Sequence, residues 1–155
     1  MQASIHFLTR FIEGHHMVSK YRATRAAQLD SLAIFRDFID QICRSHDIDE
    51  DTSYDLKLAV DEACTNVVQH GYAGMNPGSV MLDVSVSADK VEVRLTDFGH
   101  PFEPSSAPKP DITLPLEQRP AGGFGLFFIY ETMDAVDYVS NEEGNTLILR
   151  KRIEG

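Results

Sequence analysis

The sequence predicts an α+β fold: a two-layer α/β sandwich in which helices cover one face of a mixed, mainly antiparallel sheet. Three observations predict it. Two adjacent segments alternate apolar and polar residues with a period of two, two earlier segments carry apolar residues at spacings of three and four, and the chain closes on a second pair of short alternating runs.

Taken in order, residues 1–17 read as a flexible leader, and residues 18–155 as one domain. His15 and His16 precede Met17 there, but a solvated leader accounts for them better than a metal site does. Val18 to Thr24 is a weakly patterned first strand. From Leu29, the residues Leu32, Phe35, Ile39 and Ile42 form the apolar stripe of a helix, with Asp30 or Ser31 as its cap. Ser45 to Ser53 reads as a polar connection. Leu56, Val60, Ala63 and Val67 carry a second stripe, which ends near His70-Gly71.

Ala73 to Ser79 contains two glycines and Pro77, and reads as a turn region. Val80, Leu82, Val84 and Val86 then alternate with polar or flexible residues, and Val91, Val93 and Leu95 repeat the pattern after Ala88-Asp89. This is a hairpin with one buried face. Phe98 to Pro120 holds six of the seven prolines and has no periodicity. A loop of that length inside a compact domain is more often functional than passive. Phe124, Leu126, Phe127, Ile129 and Met133 have helical spacing. Val136 to Val139 and Thr146 to Arg150 then form two strands around Asn141-Glu142-Glu143-Gly144.

Composition narrows the function classes. The 155 residues are 43% hydrophobic and 25% charged, ordinary for a globular domain with its own core. A net charge of -10 repels a phosphate backbone, so direct binding to nucleic acid is not expected. No apolar run approaches the ~20 residues needed to span a bilayer, and no membrane partner is expected. Cys43 and Cys64 lie in helical patterns without metal-ligand spacing, and read as reduced thiols of a cytoplasmic protein.

Three short patterns carry chemistry. Glu62 and Asn66 are four residues apart, so they lie on one helical face, where a carboxylate and a carboxamide oxygen suit a hard cation and a hydroxyl. Asp97-Phe98-Gly99 ends a strand. There an aspartate can accept from an exocyclic amine, and glycine lets a ligand approach the backbone. Gly122-Gly123-Phe124-Gly125 precedes a helix, whose free amides and dipole favour an anion. Taken singly, each has a plainer explanation: a solvated polar face, a strand-ending turn, and a loop-to-helix junction. Asp97-Phe98-Gly99 also spells the magnesium motif of eukaryotic-type protein kinases. That match is a decoy, because the chain lacks their glycine loop, their Val-Ala-Ile-Lys strand and their His-Arg-Asp loop.

Together and in order, the patterns resemble those of a known family. Asp61-Glu62-Ala63-Cys64-Thr65-Asn66, followed by His70-Gly71-Tyr72, resembles the N box of the GHKL ATPase superfamily. Asp97-Phe98-Gly99-His100-Pro101-Phe102 is similar to its G1 box, Gly122 to Leu126 to its G2 box, and Gly144-Asn145-Thr146-Leu147 to its closing strand. The resemblance covers roughly Val18 to Ile153. The branch it resembles is the anti-sigma factor serine/threonine kinases of bacteria, with the histidine kinase-like (Bergerat) ATP-binding fold.

That resemblance implies ATP and magnesium as cofactors. It implies Asn66 as the metal ligand and Glu62 as the general base for the attacking serine hydroxyl. Asp97 would read the adenine amine, with Gly99 behind the ring and Thr146 as a second, water-mediated contact. Gly122, Gly123, Phe124, Gly125 and Leu126 would cradle the phosphates. The stretch from Phe102 to Pro120 would be the ATP lid, with Arg119 on the terminal phosphate and Lys109 as fallback. His70 and Tyr72 match the pattern without a catalytic step, and a structural role closing the helix is the reading for them. The implied partners are a STAS-type anti-anti-sigma protein, a sigma factor and a second copy of the chain. The alternatives are an ATP-binding partner-switch module without kinase activity, and an activator of a serine phosphatase.

Overall fold

The computed structural model describes residues 6–13, 16–101, 113, 115 and 123–154. Within them lie six strands and three α-helices: β1 (His6–Glu13), β2 (His16–Ala26), α1 (Ser31–Ser45), α2 (Glu50–Asn66), β3 (Ser79–Val86), β4 (Lys90–Asp97), α3 (Gly123–Thr132), β5 (Ala135–Asn141) and β6 (Gly144–Arg152). The sheet order is β1-β2-β3-β4-β6-β5. The α+β sandwich is therefore observed. In place of the expected mixed sheet, every pairing among the described strands is antiparallel.

Alternation decides which face is covered. Val80, Leu82, Val84 and Val86 of β3 are buried, as are Val91, Val93 and Leu95 of β4 and Leu147 and Leu149 of β6. Phe35, Phe38, Ile39 and Ile42 of α1, with Leu56, Ala59, Val60 and Ala63 of α2, close the core over them. The residues between these strand positions, Asp83, Glu92, Arg94 and Arg150, point to the other face. They pair there as Arg22–Asp83 and as Arg94–Glu92–Arg150–Asp137.

The helix ends follow from local chemistry. Ser31, one of the two expected caps of α1, donates from its hydroxyl to the Ala26 carbonyl at 2.7 Å, while the Asp30 side chain makes no capping bond. The helix closes with Asp47 in the left-handed region at φ 53, as Ile48 N–H bonds Cys43 O and Asp47 N–H bonds Arg44 O. The expected connection from Ser45 to Ser53 is shorter than predicted. Asp49 caps α2 by accepting from Thr52 N–H, and Glu50 and Asp51 oppose the helix dipole in the first turn, so helix begins at Glu50. Past Asn66, the helix loosens into one π-turn, Val67–Gly71.

Within the expected leader, residues 6–13 form an edge strand against β2, which itself begins at His16. A register shift between Phe7 and Thr9 breaks the alternation of β1, which hides the strand from a period-two reading. Among the described residues no helix is long and apolar enough to cross a membrane.

Candidate functional site

The end of α2 and the end of β4 meet at one corner of the sandwich, stapled by backbone contacts. His100 N–H donates to Gly71 O at 2.6 Å, and His100 Nε2 lies 3.2 Å from Ala73 O. The Tyr72 hydroxyl donates to Ser79 O at 2.8 Å and accepts from Phe98 N–H at 2.9 Å. Burial pushes the Tyr72 phenol upward, as suits a hydroxyl that keeps its proton to donate. The structural role expected for Tyr72 is therefore concrete: it ties the chain after α2 to the start of β3 and the end of β4.

Gly99 packs against this staple. A Cβ there would lie 2.2 Å from Gly71 O and 2.5 Å from Gly71 C, so only glycine allows the two backbones this approach.

Between the staple and the sheet lies a pocket lined by Ala63, Asn66, Val67 and Gly71 on the helix side, with Leu95, Asp97, Tyr138 and Leu147 on the sheet side and His100 at its rim. Its cavity volume is about 30 Å³, room for about one water. Asp97 is 6% exposed and comes from the last pair of β4. Its Oδ1 accepts from Gly99 N–H at 2.9 Å and from Asn145 Nδ2 at 3.1 Å. Among the described residues the hydrogen bonds to this carboxylate all fall on Oδ1.

Two expected site residues, Asn66 and Asp97, thus meet on one pocket, and Gly99 packs against Gly71 of its wall. Glu62 lies one turn before Asn66 on α2 and is half-buried. Burial, with the neighbouring Asp61 charge adding to it, pushes its carboxyl above the ordinary range. Asp61 is itself turned toward α1, where Arg36 Nη1 bonds its Oδ2 at 2.8 Å. Gly123 opens α3, and Phe124, Gly125 and Leu126 fall in its first turn. This helix packs against α2. Gly122, Arg119, Lys109 and the expected lid from Phe102 to Pro120 lie outside the described residues, apart from Thr113 and Pro115.

Thr146 is not brought to the pocket with Asn66 and Asp97. It pairs with Thr96, and the two hydroxyls lie 3.0 Å apart on the face of the sheet away from the helices. The strand period puts Asn145, Leu147 and Leu149 on the pocket face, so Asn145 and not Thr146 stands beside Asp97. Sequence reasoning missed Asn145. The available signal was a polar side chain in phase with Leu147 and Leu149.

The cysteines lie elsewhere. Cys43 and Cys64 are free and buried, and burial pushes both thiols up, which leaves them inert.

Comparison with known proteins agrees with this fold. Residues 25–151 match the histidine kinase-like ATPase domain family. The chain is 35% identical over 104 residues to the serine-protein kinase RsbW of Bacillus cereus, a match covering 64% of each chain. It is 33% identical over 108 residues to the RsbW of Bacillus mycoides, covering 67% of this chain and 66% of that protein. The chain therefore spans slightly less than two thirds of the length of these relatives.

Proposed function

The chain belongs to the histidine kinase-like ATPase family, and from that premise we propose that it is an ATP-dependent protein serine kinase and anti-sigma factor, which phosphorylates a STAS-type anti-anti-sigma protein and binds a sigma factor. The observation that carries the reading is the convergence of Asn66 and Asp97 on one pocket, whose Gly71 wall is packed against Gly99. The name of the similar relatives, serine-protein kinase, supports the activity class.

The donor set fits the proposed ligands. A buried carboxylate whose described bonds occupy one oxygen has the other to offer an adenine amine. Asn66 offers a carboxamide oxygen, which suits magnesium, a hard cation that usually keeps several waters beside substrate phosphates. Magnesium, when bound, neutralises charge on the phosphates during transfer. The first amides of α3, from Gly123 onward, are the anion-binding end of a helix, and Gly122, Phe124, Gly125 and Leu126 complete the proposed phosphate cradle. Arg119 is the proposed contact of the terminal phosphate.

Glu62 is the proposed general base. Its carboxylate takes the proton of the attacking serine hydroxyl, and its upward shift brings it nearer to working pH, where a base is most effective. The reading places the protein in the cytoplasm as a homodimer, without direct contact with nucleic acid or membrane.

The test combines purified protein, radiolabelled ATP, magnesium and a STAS protein encoded beside it. Label on a STAS serine is the expected result. Measurable ATP binding without any label would overturn the kinase activity and leave an ATP-binding partner-switch module.

A further inference from the structure

We infer that Asn145 is the positioning residue that aims Asp97 at the base, and so sets the preference of the pocket for a 6-amino purine; the inference rests on the nucleotide reading above.

Asn145 is 3% exposed, and the described bonds satisfy its carboxamide in full. Nδ2 donates to Asp97 Oδ1 at 3.1 Å and to Gly99 O at 2.9 Å, and Oδ1 accepts from the Ser140 hydroxyl at 2.7 Å. The orientation of the amide follows from its partners. Turning it over would set its oxygen against a carboxylate and a carbonyl, two acceptors with no proton between them. With both protons and the oxygen engaged, Asn145 has no donor left for a ligand. Its effect on a nucleotide runs through Asp97.

That effect is directional. Asn145 Nδ2 and Gly99 N–H converge on the same oxygen of Asp97. Two donors on Oδ1 fix the rotation of the carboxylate and give Oδ2 the task of accepting from the ligand. The bond from Asn145 to Gly99 O also holds the turn whose backbone lies against Gly71. The acceptor for the amine and the turn packed against the Gly71 wall of the pocket are thus both held by one side chain. An amine at purine C6 donates to such an acceptor, whereas a carbonyl there, as in inosine and guanosine, presents oxygen to oxygen. Rejection of the wrong group is sharpest where the buried polar partner cannot turn away.

The test compares binding of ADP and IDP by calorimetry in the full chain, for wild type, Asn145→Ala, Asp97→Asn, the double variant and Ser140→Ala. Wild type is expected to prefer ADP. Asn145→Ala is expected to lose about 10- to 100-fold in ADP affinity, the range for a bond to a charged group, while IDP affinity changes little. The preference then collapses toward that of Asp97→Asn, and the double variant loses little more than Asp97→Asn alone. Ser140→Ala, which frees the far side of the amide, is expected to shift the preference the same way by a smaller factor, and keeps the question answerable if Asn145→Ala does not fold. Equal loss of ADP and IDP in Asn145→Ala, or an unchanged preference in Ser140→Ala where only that variant folds, would overturn the positioning role alone. Wild type that binds neither nucleotide would overturn the nucleotide reading and this inference together.

Discussion

The carbonyl of Gly71, at the end of the π-turn after α2, accepts a 2.6 Å hydrogen bond from His100 N–H, one residue beyond Gly99. Two segments far apart in sequence are held in backbone contact there. The first prediction concerns what keeps them close. Gly99→Ala places a methyl 2.2 Å from Gly71 O, so the backbones must separate. The expected result is a stability loss of about 1–3 kcal/mol, in the usual range for overpacking, and a larger relative loss of ADP affinity. Denaturant melts with and without ADP check it. An unchanged affinity would show that the approach of Gly99 to Gly71 does not shape the pocket.

Tyr72 serves the same corner through its hydroxyl. Tyr72→Phe keeps the ring and removes the donor to Ser79 O and the acceptor for Phe98 N–H. Two partners inside a part-buried site lose their bond, so the expected cost is about 1–3 kcal/mol, read as a lower urea midpoint at constant slope. Faster amide exchange at Phe98 is the local signature. A loss spread evenly over the protein, without it, would assign the cost to packing.

Glu62 gives a prediction in pH. Burial, then the Asp61 charge, raises its carboxyl above the unfolded value. Between those two values the folded state binds more protons than the unfolded state. Stability contributed by this group is therefore full below the unfolded pKa, and is lost as pH rises through the folded one. Glu62→Gln is expected to be as stable as wild type or slightly more so at pH 7, and the advantage should shrink on acidification. Phosphotransfer should disappear in the same variant while ATP affinity holds. In wild type, the acid limb of the transfer rate should lie above the ordinary carboxylate range. Retained transfer in Glu62→Gln would remove the base assignment.

Much of this was legible in the sequence, and the parts that were not share a cause. The hairpin of β3 and β4 showed itself because Val80 to Val86 and Val91 to Leu95 are buried on one face only. Glu62, Asn66 and Asp97 stood out because a helix period and a strand end place their side chains without reference to anything distant. Asn145 did not. Its role depends on the register that sets β6 against β4, Asn145 opposite Asp97, and a shift of one residue would have given the place to Thr146. The edge strand β1 was lost for a related reason, since its alternation breaks at the bulge and its partner is not fixed by local pattern. The start of α2 was misjudged because Asp49 to Ser53 is polar throughout, and capping rather than an apolar stripe begins that helix.

The open face of the sheet supplies the last prediction. Glu92 sits between Arg94 and Arg150, accepting from Arg94 Nε at 2.8 Å on one carboxylate oxygen and from Arg150 Nε at 2.9 Å on the other. Burial pushes its carboxyl up, but the two hydrogen bonds and the two positive charges together outweigh burial, and the net direction is down. The folded value thus lies below the unfolded one. The contribution of this group is present above the unfolded pKa and is lost as pH falls through the folded pKa. Glu92→Gln keeps the shape and removes the charge, so it is expected to be less stable at pH 7 by under about 1 kcal/mol, since Arg94 is half exposed and solvent screens the pair. The difference from wild type should narrow below pH ~4 and close as the wild-type carboxylate protonates, and salt should narrow it at neutral pH. Paired urea melts across pH 3 to 7 read this directly. A deficit in Glu92→Gln that persists unchanged at the acid end would mean that geometry, and not charge, sets the worth of the cluster, and ADP affinity should be untouched throughout because Glu92 lies on the face of the sheet opposite the pocket.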